Sequence, residues 1–293
     1  MPSSSAGQFI EWLGSAASGP ERLGGKAASL DRLARMGFRI PPGFCLTTEA
    51  FRAQVATIDS GVGQGEEGFT GALAGLIATE PVIPSLADEL AAAVRQLSET
   101  APSTDGTPAG TRFAVRSSAL GEDSAGASYA GLHETELDIA PAGVDASVRR
   151  CWASLWSPQA ISYRAHRGIS MDGAAMAVVV QSLVPADAAA VVFTRHPVTG
   201  REDQLVVTAV RGLGDAMVSG TVTPDTYVID KATLRTLEFT PGDGPRALDD
   251  ASVTELAGLC LRVEAGYGLA VDIEAATTAG TWFLLQARPI TTR

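Results

Sequence analysis

The sequence is poor in cysteine and in aromatic residues, and it lacks long apolar runs. Its three cysteines among 293 residues, Cys45, Cys151 and Cys260, lie far apart without a CxxC pair, so no zinc or redox motif is indicated. Aromatic residues account for 6% and form no stacking ladder for single-stranded nucleic acid. No uninterrupted run of about 18 apolar residues occurs, so no membrane span is predicted. No basic segment precedes an apolar core, as a signal peptide requires. We expect buried thiols in a reducing cytoplasm.

Positive charge is also scarce. Lys and Arg number 22 against 33 Asp and Glu, which gives a formal net charge of −11. An acidic surface repels phosphate backbones, so general nucleic-acid binding is excluded, whereas a local basic pocket for one nucleotide is not. Hydrophobic residues make up 45% and charged residues 19%, which is typical of a folded globular chain. At roughly 150 residues per domain, the length predicts about two compact units.

Hydrophobic periodicity predicts alternating helices and strands along the chain. The predicted helices run from the turn at 24–26 to Gly37, from Thr47 to Ile58, from a capping box at Ser85 and Asp88 to Leu97, and over 148–166 and 252–266. The predicted strands are 112–118, 134–139, 176–184, 188–193, 204–210, 227–230 and a closing hairpin over 271–290. The predicted connections are 59–71, 100–111 and 120–131. This order fits a mixed α+β or α/β chain. Its strand-rich second half predicts two lobes, 1–180 and 181–293.

The C-terminal hairpin carries the most informative spacing. Asp272 and Glu274 are two residues apart and share one face of a strand, and the same holds for Gln286 and Arg288. With a turn centred on Gly280, antiparallel pairing places Glu274 opposite Gln286 and Asp272 opposite Arg288. Carboxylate and amide oxygens suit a hard cation such as Mg²⁺, and an adjacent Arg suits a phosphate oxygen. The alternative is a solvated hairpin face with an exposed Asp–Arg pair.

Two further motifs have the composition of phosphate contacts. The Gly-Gly-Lys turn at 24–26 lets backbone approach a ligand and puts a positive charge at a helix start, although it lacks the spacing of a P-loop. An apolar strand carries Arg116 and leads into a loop of small residues at 121–131, which can fold its N–H groups over anionic oxygens. Arg116 needs an anionic partner, which is either Glu122 or Asp123 or a nucleotide phosphate.

A fourth motif is an apolar strand that runs into Pro185. It is either an ordinary core strand or an inter-lobe hinge whose backbone groups at 181–184 read an adenine edge. None of the three histidines lies in a loop that would present it as a covalent nucleophile. No HExxH, GxSxG or Ser/His/Asp arrangement is present.

In this order, the motifs resemble the nucleotide-binding domain of the phosphoenolpyruvate synthase, pyruvate phosphate dikinase and rifampicin phosphotransferase family. The resemblance covers about residues 20–292. The stretches that carry it are Gly24-Gly25-Lys26 with Pro42-Gly43-Phe44, Val115-Arg116-Ser117-Ser118 with Glu134-Thr135, Val180-Gln181, Phe193-Thr194-Arg195 with Pro197, Gly212-Leu213-Gly214 with Pro224-Asp225, and Asp272-Ile273-Glu274 with Leu285-Gln286-Ala287-Arg288-Pro289-Ile290. Each stretch is weak evidence alone, and the ordered set is specific.

The resemblance implies an ATP-grasp fold, in which two lobes clamp ATP and Mg²⁺. It implies catalytic contacts to phosphate by Lys26, Arg116 and Arg288, and metal ligation by Glu274 and Gln286. The nucleotide-binding positions that it implies are Lys26, Arg116, Thr135, Gln181, Ser182, Leu183, Val184, Asp272, Glu274, Gln286 and Arg288. The chain departs from the family pattern at Ser182, where Glu is frequent, at Ala275, where Trp is usual, and at 188–190, where the family has a Gly. We expect these departures to affect the adenine pocket more than the phosphate contacts.

The resemblance leaves three functions open. In the first, the domain binds Mg-ATP and passes a phosphoryl group to a His on a separate swivelling domain or partner chain, with AMP as a product. The family's phosphohistidine motif is not found in this sequence. In the second, the chain is a stand-alone small-molecule kinase that forms ADP, with Asp272, Asp225 or His196 as general base. In the third, it is a non-catalytic nucleotide-binding module.

Overall fold

The structure is a computed structural model that describes residues 9–15, 18–58, 69–100, 111–120, 135–167 and 174–290. Within these ranges the strands are β1 (Ile10–Trp12), β2 (Gly43–Leu46), β3 (Phe113–Ala119), β4 (Thr135–Ile139), β5 (Met176–Ser182), β6 (Ala188–Phe193), β7 (Gln204–Arg211), β8 (Asp225–Asp230), β9 (Thr236–Thr240), β10 (Val271–Thr278) and β11 (Thr281–Pro289). The helices of the same ranges are α1 (Pro20–Arg35), α2 (Thr48–Val55), α3 (Phe69–Thr79), α4 (Pro84–Thr100), α5 (Val144–Ala153), α6 (Pro158–Arg167), α7 (Asp215–Val218) and α8 (Asp250–Tyr267).

The chain divides into two compact units. The first unit comprises Met1–Asp31 and Pro42–Leu183, and the second comprises Arg32–Pro41 and Val184–Arg293. The first unit ends for the last time at Leu183, close to residue 181, where the second lobe was predicted to begin. No pattern in the sequence predicted that residues 32–41 belong with the second unit. The interpretation of the units as the lobes of a clamp stays a prediction.

The first unit is built on a five-stranded antiparallel sheet in the order β1-β2-β5-β3-β4. Side chains alternate across β3, so that Phe113 and Val115 enter a core shared with α2, α4 and α5, while Arg116 points to the other face. Trp152 of α5 is fully buried in this core, in an edge-to-face contact with Phe51 of α2. The core therefore leaves one face of β3 available for a charged residue.

The second unit is a six-stranded antiparallel sheet in the order β11-β10-β6-β7-β8-β9, with α8 against one face. The helix begins at Asp249, whose side chain accepts the Ser252 N–H at 2.8 Å, and ends at Gly268 with φ of 73°. Val271, Ile273 and Ala275 of β10 face the core that α8 covers. Asp272 and Glu274 alternate to the opposite face.

The antiparallel sheets with separate helices confirm a mixed α+β chain. The ATP-grasp assignment, with two lobes clamping a nucleotide, stays a prediction at this level of description. The closing hairpin is confirmed, since β10 and β11 pair along their length.

Two helix predictions were wrong in detail. The helix predicted over 148–166 is interrupted, because Pro158 cannot continue the hydrogen-bond ladder and holds Ser157 in an extended conformation with ψ of 149°. The capping box predicted at Ser85 is not the helix start. The helix α4 begins one residue earlier, at Pro84, a residue favoured in the first turn because its missing N–H is not needed there.

Five of the described elements were not predicted, namely β1, β2, β9, α3 and α7. Residues 69–71 were assigned to a connection and form the start of α3. The strand predicted over 176–184 ends at Ser182. The connections predicted at 59–68, 101–110 and 121–131 lie outside the described residues, and so do Glu122 and Asp123.

All three cysteines are buried and form no disulfide, as predicted. Burial raises the pKa of the Cys45 and Cys260 thiols well above the ordinary value, which keeps both thiols protonated and unreactive. Among the described residues no single helix has the length and hydropathy to cross a membrane, although the bent pair of Thr70–Thr79 with Pro84–Thr100 meets the criterion by length and composition alone. In α4, five side chains belong to the core of the first unit, namely Leu86, Leu90, Ala93, Val94 and Leu97.

Candidate functional site

The hairpin of β10 and β11 brings four of the predicted site residues together. Asp272 lies opposite Arg288, and Glu274 lies opposite Gln286, as the sequence predicted. All four lie on the face of the sheet that α8 does not cover. Asp272 and Gln286 are buried, with exposures of 8% and 5%. The hairpin face is therefore a partly buried polar patch, in which Asp272 and Gln286 are shielded from solvent while Glu274 and Arg288 are half-buried.

A β-bulge produces this register. The turn consists of Ala279 and Gly280, both with positive φ, as in the two-residue turns that suit twisted hairpins. Pairing that continued regularly from this turn would place Leu285 opposite Glu274 and would send Gln286 and Arg288 to the core face. The register instead shifts between Glu274 and Ala275, so that Leu285 is the extra residue. The predicted pairs are confirmed, but the turn centre assumed for them was displaced.

Asp272 and Arg288 form an asymmetric ion pair. The Nε and one terminal nitrogen of Arg288 both lie 2.7 Å from Oδ2 of Asp272. The other oxygen, Oδ1, is buried and has no hydrogen-bond partner among the described residues. Burial raises the pKa of Asp272, the Arg288 guanidinium opposes this shift, and the charge of Glu274 adds to it. The patch thus holds a buried carboxylate oxygen without a donor, which is unfavourable unless something binds there.

The donor set fits a hard divalent cation. Mg²⁺ prefers oxygen ligands and commonly binds through one or two carboxylates together with substrate phosphates. The side chains of Glu274 and Gln286 offer carboxylate and amide oxygens, and Oδ1 of Asp272 is a third oxygen on the same face. Within the described residues no group of three or more His, Cys, Asp or Glu forms a closed metal cage. A cation at this patch would therefore need ligands from a bound molecule.

The strand next to β10 supplies an apolar neighbour for this patch. Phe193 of β6 lies opposite Asp272, and Val191 lies opposite Glu274, so both share the face of the carboxylates. Both side chains are half-buried. The combination of convergent polar groups with apolar walls is typical of small-molecule sites.

In the first unit, the turn that carries Lys26 is fastened to the end of β3. Gly24 interrupts α1 with φ of 70° and ψ of 175°, and a Cβ at this position would lie 2.0 Å from the Ser118 carbonyl oxygen. The Ser118 hydroxyl donates to the Leu23 carbonyl at 2.8 Å and accepts from the Ala27 N–H at 3.1 Å. Only glycine permits this approach. The Lys26 turn is thereby held two residues from Arg116 along the strand.

Two more of the predicted residues lie beside Arg116. Thr135 on β4 is its direct cross-strand neighbour. Gln181 on β5 lies opposite Ala114 and therefore shares the face of Arg116. Lys26 and Arg116 are each 9% exposed, and Gln181 is 2% exposed. The structure therefore collects Arg116, Thr135 and Gln181 on adjacent strands of one sheet.

The segment 181–184 has fewer backbone N–H groups free to bind adenine than the sequence suggested. The Ser182 N–H donates to the Pro42 carbonyl at 2.9 Å, and the Leu183 N–H donates to the Arg112 carbonyl at 2.8 Å. These two donors are used within the first unit, because β5 lies between β2 and β3. Recognition of an adenine edge by this segment would have to use its other backbone groups, including those of Val184.

The departures from the family pattern fall mainly on the core side of the second sheet. Ala275, Ala188 and Ala190 all belong to the core beneath α8. Small side chains at these positions affect packing against α8, and they do not line the patch of Asp272 and Glu274. Ala189 alternates to the other face, which carries Val191 and Glu274, so only the three core positions have an indirect effect on a nucleotide pocket there.

Two features of the site were not found from the sequence. The tether from Ser118 to Leu23 and Ala27 spans more than 90 residues of sequence, so no local pattern reveals it. The bulge at Leu285 has one visible signal, which is that the pair Leu284 and Leu285 breaks the alternation of β11.

Comparison with known proteins gives a family match. The model of the family described as "Pyruvate phosphate dikinase, AMP/ATP-binding domain" matches residues 20–244. This range includes the turn at Lys26, β3 with Arg116 and the segment 181–184. It ends before β10, so the hairpin patch lies beyond the matched range.

Similar proteins carry related names. A "Probable phosphoenolpyruvate synthase" of Methanocaldococcus jannaschii is 34% identical over 97% of this chain and 27% of that protein. The "Prodigiosin synthesizing transferase PigC" of Serratia marcescens is 35% identical over 97% of this chain and 33% of that protein. The "Rifampicin phosphotransferase" of Streptomyces sviceus is 36% identical over 92% of this chain and 34% of that protein. The chain thus spans about a third or less of these relatives, and the resemblance predicted from the motifs is confirmed.

Proposed function

The chain belongs to the family of the pyruvate phosphate dikinase AMP/ATP-binding domain, and on this premise we propose that it binds ATP with Mg²⁺ for phosphoryl transfer. The finer picture that we propose is an ATP-grasp arrangement, in which the units correspond to the two lobes of a clamp. The reducing cytoplasm is the proposed location, and three buried cysteines without a disulfide support it.

One observation carries the proposal, namely the hairpin patch. A buried carboxylate oxygen without a donor, a second carboxylate opposite an amide and an Arg on the same face suit a metal–phosphate complex better than they suit folding. We propose Glu274 and Gln286 as metal ligands, with Asp272 beside them, and Arg288 as a contact to the terminal phosphates. Mg²⁺ would neutralise phosphate charge there.

The first unit would contribute the remaining charge. We propose Lys26 and Arg116 as phosphate contacts, Thr135 as a neighbour of the phosphates, and Gln181 to Val184 as the segment near adenine. Phosphoryl transfer asks little covalent chemistry of a protein, and its catalysis consists mainly of positioning and charge stabilisation. The tether between Ser118 and the turn of Lys26 supports this role, because it holds a cation in a fixed backbone frame.

The proposed acceptor is a His on a separate swivelling domain or partner chain, with AMP as product. A small-molecule acceptor with ADP as product is the second candidate. Two of the general bases considered for it are already engaged as acceptors. Asp225 accepts the N–H groups of Gly242 and Ala247 at 2.8 and 2.7 Å, and Nδ1 of His196 accepts those of Val198 and Thr199, both at 3.3 Å. The third candidate, Asp272, is assigned to the metal site in our proposal, so we prefer the His acceptor.

Calorimetry with ATP, in the presence and in the absence of Mg²⁺, tests the binding proposal. We expect saturable, Mg²⁺-dependent binding that Glu274→Ala weakens strongly. Glu238→Ala is the matched control, because Glu238 is exposed on β9 of the same sheet. Equal binding by Glu274→Ala and the wild type would contradict the metal site. Tight binding without turnover under every acceptor condition would favour the non-catalytic module.

Product analysis tests the acceptor. The chain is incubated with γ- and β-labelled ATP, with and without a candidate phosphohistidine domain, and the nucleotides are separated. AMP together with a labelled, acid-labile partner supports the proposed transfer. ADP that forms only with a metabolite would replace the His acceptor by a small molecule.

A further inference from the structure

A chain of hydrogen bonds fastens the beginning of β10, next to the hairpin patch. Thr194 follows the last residue of β6 and is fully buried. Its N–H donates to the Val271 carbonyl at 2.9 Å, and its hydroxyl accepts the Val271 N–H at 2.8 Å. Both backbone polar groups of Val271 are therefore bound by one residue. Val271 is the first residue of β10 and directly precedes Asp272.

The series of hydrogen bonds continues from Thr194 to an ion pair on the core side of the sheet. The Thr194 hydroxyl donates to Oε1 of Glu264, at 3.0 Å, in the last turn of α8. Lys231, which follows β8, places its Nζ 2.8 and 2.9 Å from the two oxygens of the same carboxylate. The side chains of Lys231 and Glu264 are 19% and 21% exposed, so solvent screens this pair only partly.

The direction of these hydrogen bonds determines how the Thr194 hydroxyl binds Val271. A hydroxyl has one proton and two lone pairs, and the Glu264 carboxylate can only accept. With its proton directed to Glu264, Thr194 must present a lone pair to the Val271 N–H. Glu264 thereby fixes the acceptor that Thr194 offers to β10. Valine, which has the shape of threonine, can do neither.

The hydrogen-bonded clamp of Thr194 on Val271 lies at the end of β10 that carries Asp272. Phe193 and Asp272 form the last pair of the ladder between β6 and β10, and Thr194 and Val271 meet one residue beyond it. Strand ends open more readily than strand centres. An opening of this end would displace Asp272, whose Oδ1 and Oδ2 must stay aligned with Arg288 and with Glu274 on the same face.

We infer that Thr194 and Glu264 are positioning residues, which hold the carboxylates of Asp272 and Glu274 in place for the metal–nucleotide complex. This inference rests on the proposed function. Neither residue touches the proposed ligand, and both act through the backbone of β10. Lys231 supports them by holding the Glu264 carboxylate beside Thr194.

The first experiment measures the clamp without any ligand. Amide hydrogen exchange is followed in the wild type, Thr194→Val, Thr194→Ser and Val263→Ala. Val263 is the control, because it is fully buried in α8 next to Glu264 and its truncation weakens the core without touching the clamp. We expect exchange of the Val271 amide, relative to that of Val207 in β7, to accelerate by about tenfold or more in Thr194→Val. Serine should restore the protection. The same ratio in Thr194→Val and Val263→Ala would overturn the inference.

The second experiment measures the consequence for binding in the same variants by calorimetry. Loss of an outer-shell partner of a metal site typically weakens metal affinity by about 10- to 100-fold. We expect Thr194→Val and Glu264→Gln to raise the Kd for Mg-ATP by about tenfold or more. The Kd for ATP in EDTA should change by less than about threefold, and Thr194→Ser and Val263→Ala should stay near the wild type.

Equal losses with and without Mg²⁺, or equal losses in Thr194→Val and Val263→Ala, would reduce the network to a structural role and overturn the inference. A wild type that binds neither Mg-ATP nor ATP would contradict the proposed function instead. The exchange measurement would then still decide whether Thr194 and Glu264 hold the strand.

Discussion

Each unit contains a carboxylate paired with an arginine from a neighbouring element, and the two pairs behave differently. In the first unit, Glu136 receives Nε of Arg150 on one oxygen and a terminal nitrogen on the other, both at 2.6 Å. The Ser147 hydroxyl adds a third bond at 2.6 Å. In the second unit, Asp272 receives both Arg288 nitrogens on a single oxygen, and the other oxygen is unpartnered among the described residues.

The consequence appears in the acidity of the two groups. The hydrogen bond from Arg150 and, to a smaller extent, that from Ser147 lower the pKa of Glu136. Burial raises the pKa of Asp272 in spite of Arg288. A carboxylate with hydrogen bonds on both oxygens stabilises the fold, whereas a buried carboxylate with one oxygen unbonded lowers stability. In our proposal, this difference separates a structural ion pair from one that binds the metal–phosphate complex.

The largest expected effect comes from removing the arginine of each pair. Arg288→Ala should weaken Mg-ATP binding by about 2–5 kcal/mol, because a buried charge loses its partner and the phosphates lose a contact. Arg150→Ala should leave the Kd within about twofold and lower the free energy of unfolding by about 1 kcal/mol, because Arg150 is 47% exposed. Calorimetry and urea unfolding measure both. A similar Kd change in the two variants would break the comparison.

Neutralising each carboxylate should change stability in opposite directions. Glu136→Gln removes a well-bonded charge and should lower the free energy of unfolding by about 1 kcal/mol. Asp272→Asn removes a charge that burial disfavours and should raise this free energy, while Mg-ATP binding is lost. Urea unfolding at neutral pH measures the sign. Destabilisation by Asp272→Asn would show that Arg288 fully compensates the buried charge.

Removing one donor from the first pair should make it resemble the second. Ser147→Ala takes away the third hydrogen bond of Glu136, and we expect a loss of about 1 kcal/mol in the free energy of unfolding and a higher pKa for Glu136. Ser154→Ala is the matched control, because among the described residues its buried hydroxyl donates to the Cys151 carbonyl three residues earlier and not to a carboxylate. A side-chain carboxyl titration by NMR checks the pKa. An unchanged value would show that Arg150 alone accounts for it.

The smallest effects are the pH dependences. Because the native pKa of Glu136 is lowered from 4.5, its contribution is present above that pH and is lost as the pH falls below it. Because the native pKa of Asp272 is raised from 3.8, its effect has the opposite sign, and stability falls as the pH rises through the interval above that value. Glu136→Gln should flatten the acid limb of a stability–pH curve, and Asp272→Asn should flatten the fall at higher pH. Parallel curves for all variants would contradict both assignments.

The hairpin pairs were predictable from the sequence because two polar residues at a spacing of two must share a face of a strand. The prediction succeeded for Glu274 with Gln286 although its turn was displaced, since the bulge at Leu285 restored the register. The broken helix at Pro158 could have been foreseen from the proline itself. Local rules therefore gave both the pairing and, in principle, the break.

Contacts between distant segments were beyond these rules. The tether of Ser118 to the Lys26 turn joins residues more than 90 positions apart, and the clamp of Thr194 on Val271 joins residues 77 positions apart. The missing partner of Asp272 Oδ1 is a property of packing, which residue spacing does not encode. The sequence thus predicted the groups that we propose for the chemistry, and the structure showed which distant residues hold them in place.

The left-handed backbone at Gly24 limits how this motif can vary. Because a methyl group there would overlap the Ser118 carbonyl, a randomised library of residues 23–27 that is screened for folding alone should return glycine at position 24. Lys26 is required for ATP binding in our proposal and not for folding. The folding screen should therefore return varied residues at position 26, and a second screen on immobilised ATP should recover lysine there. The two selections would separate the residue that shapes the turn from the residue that uses it.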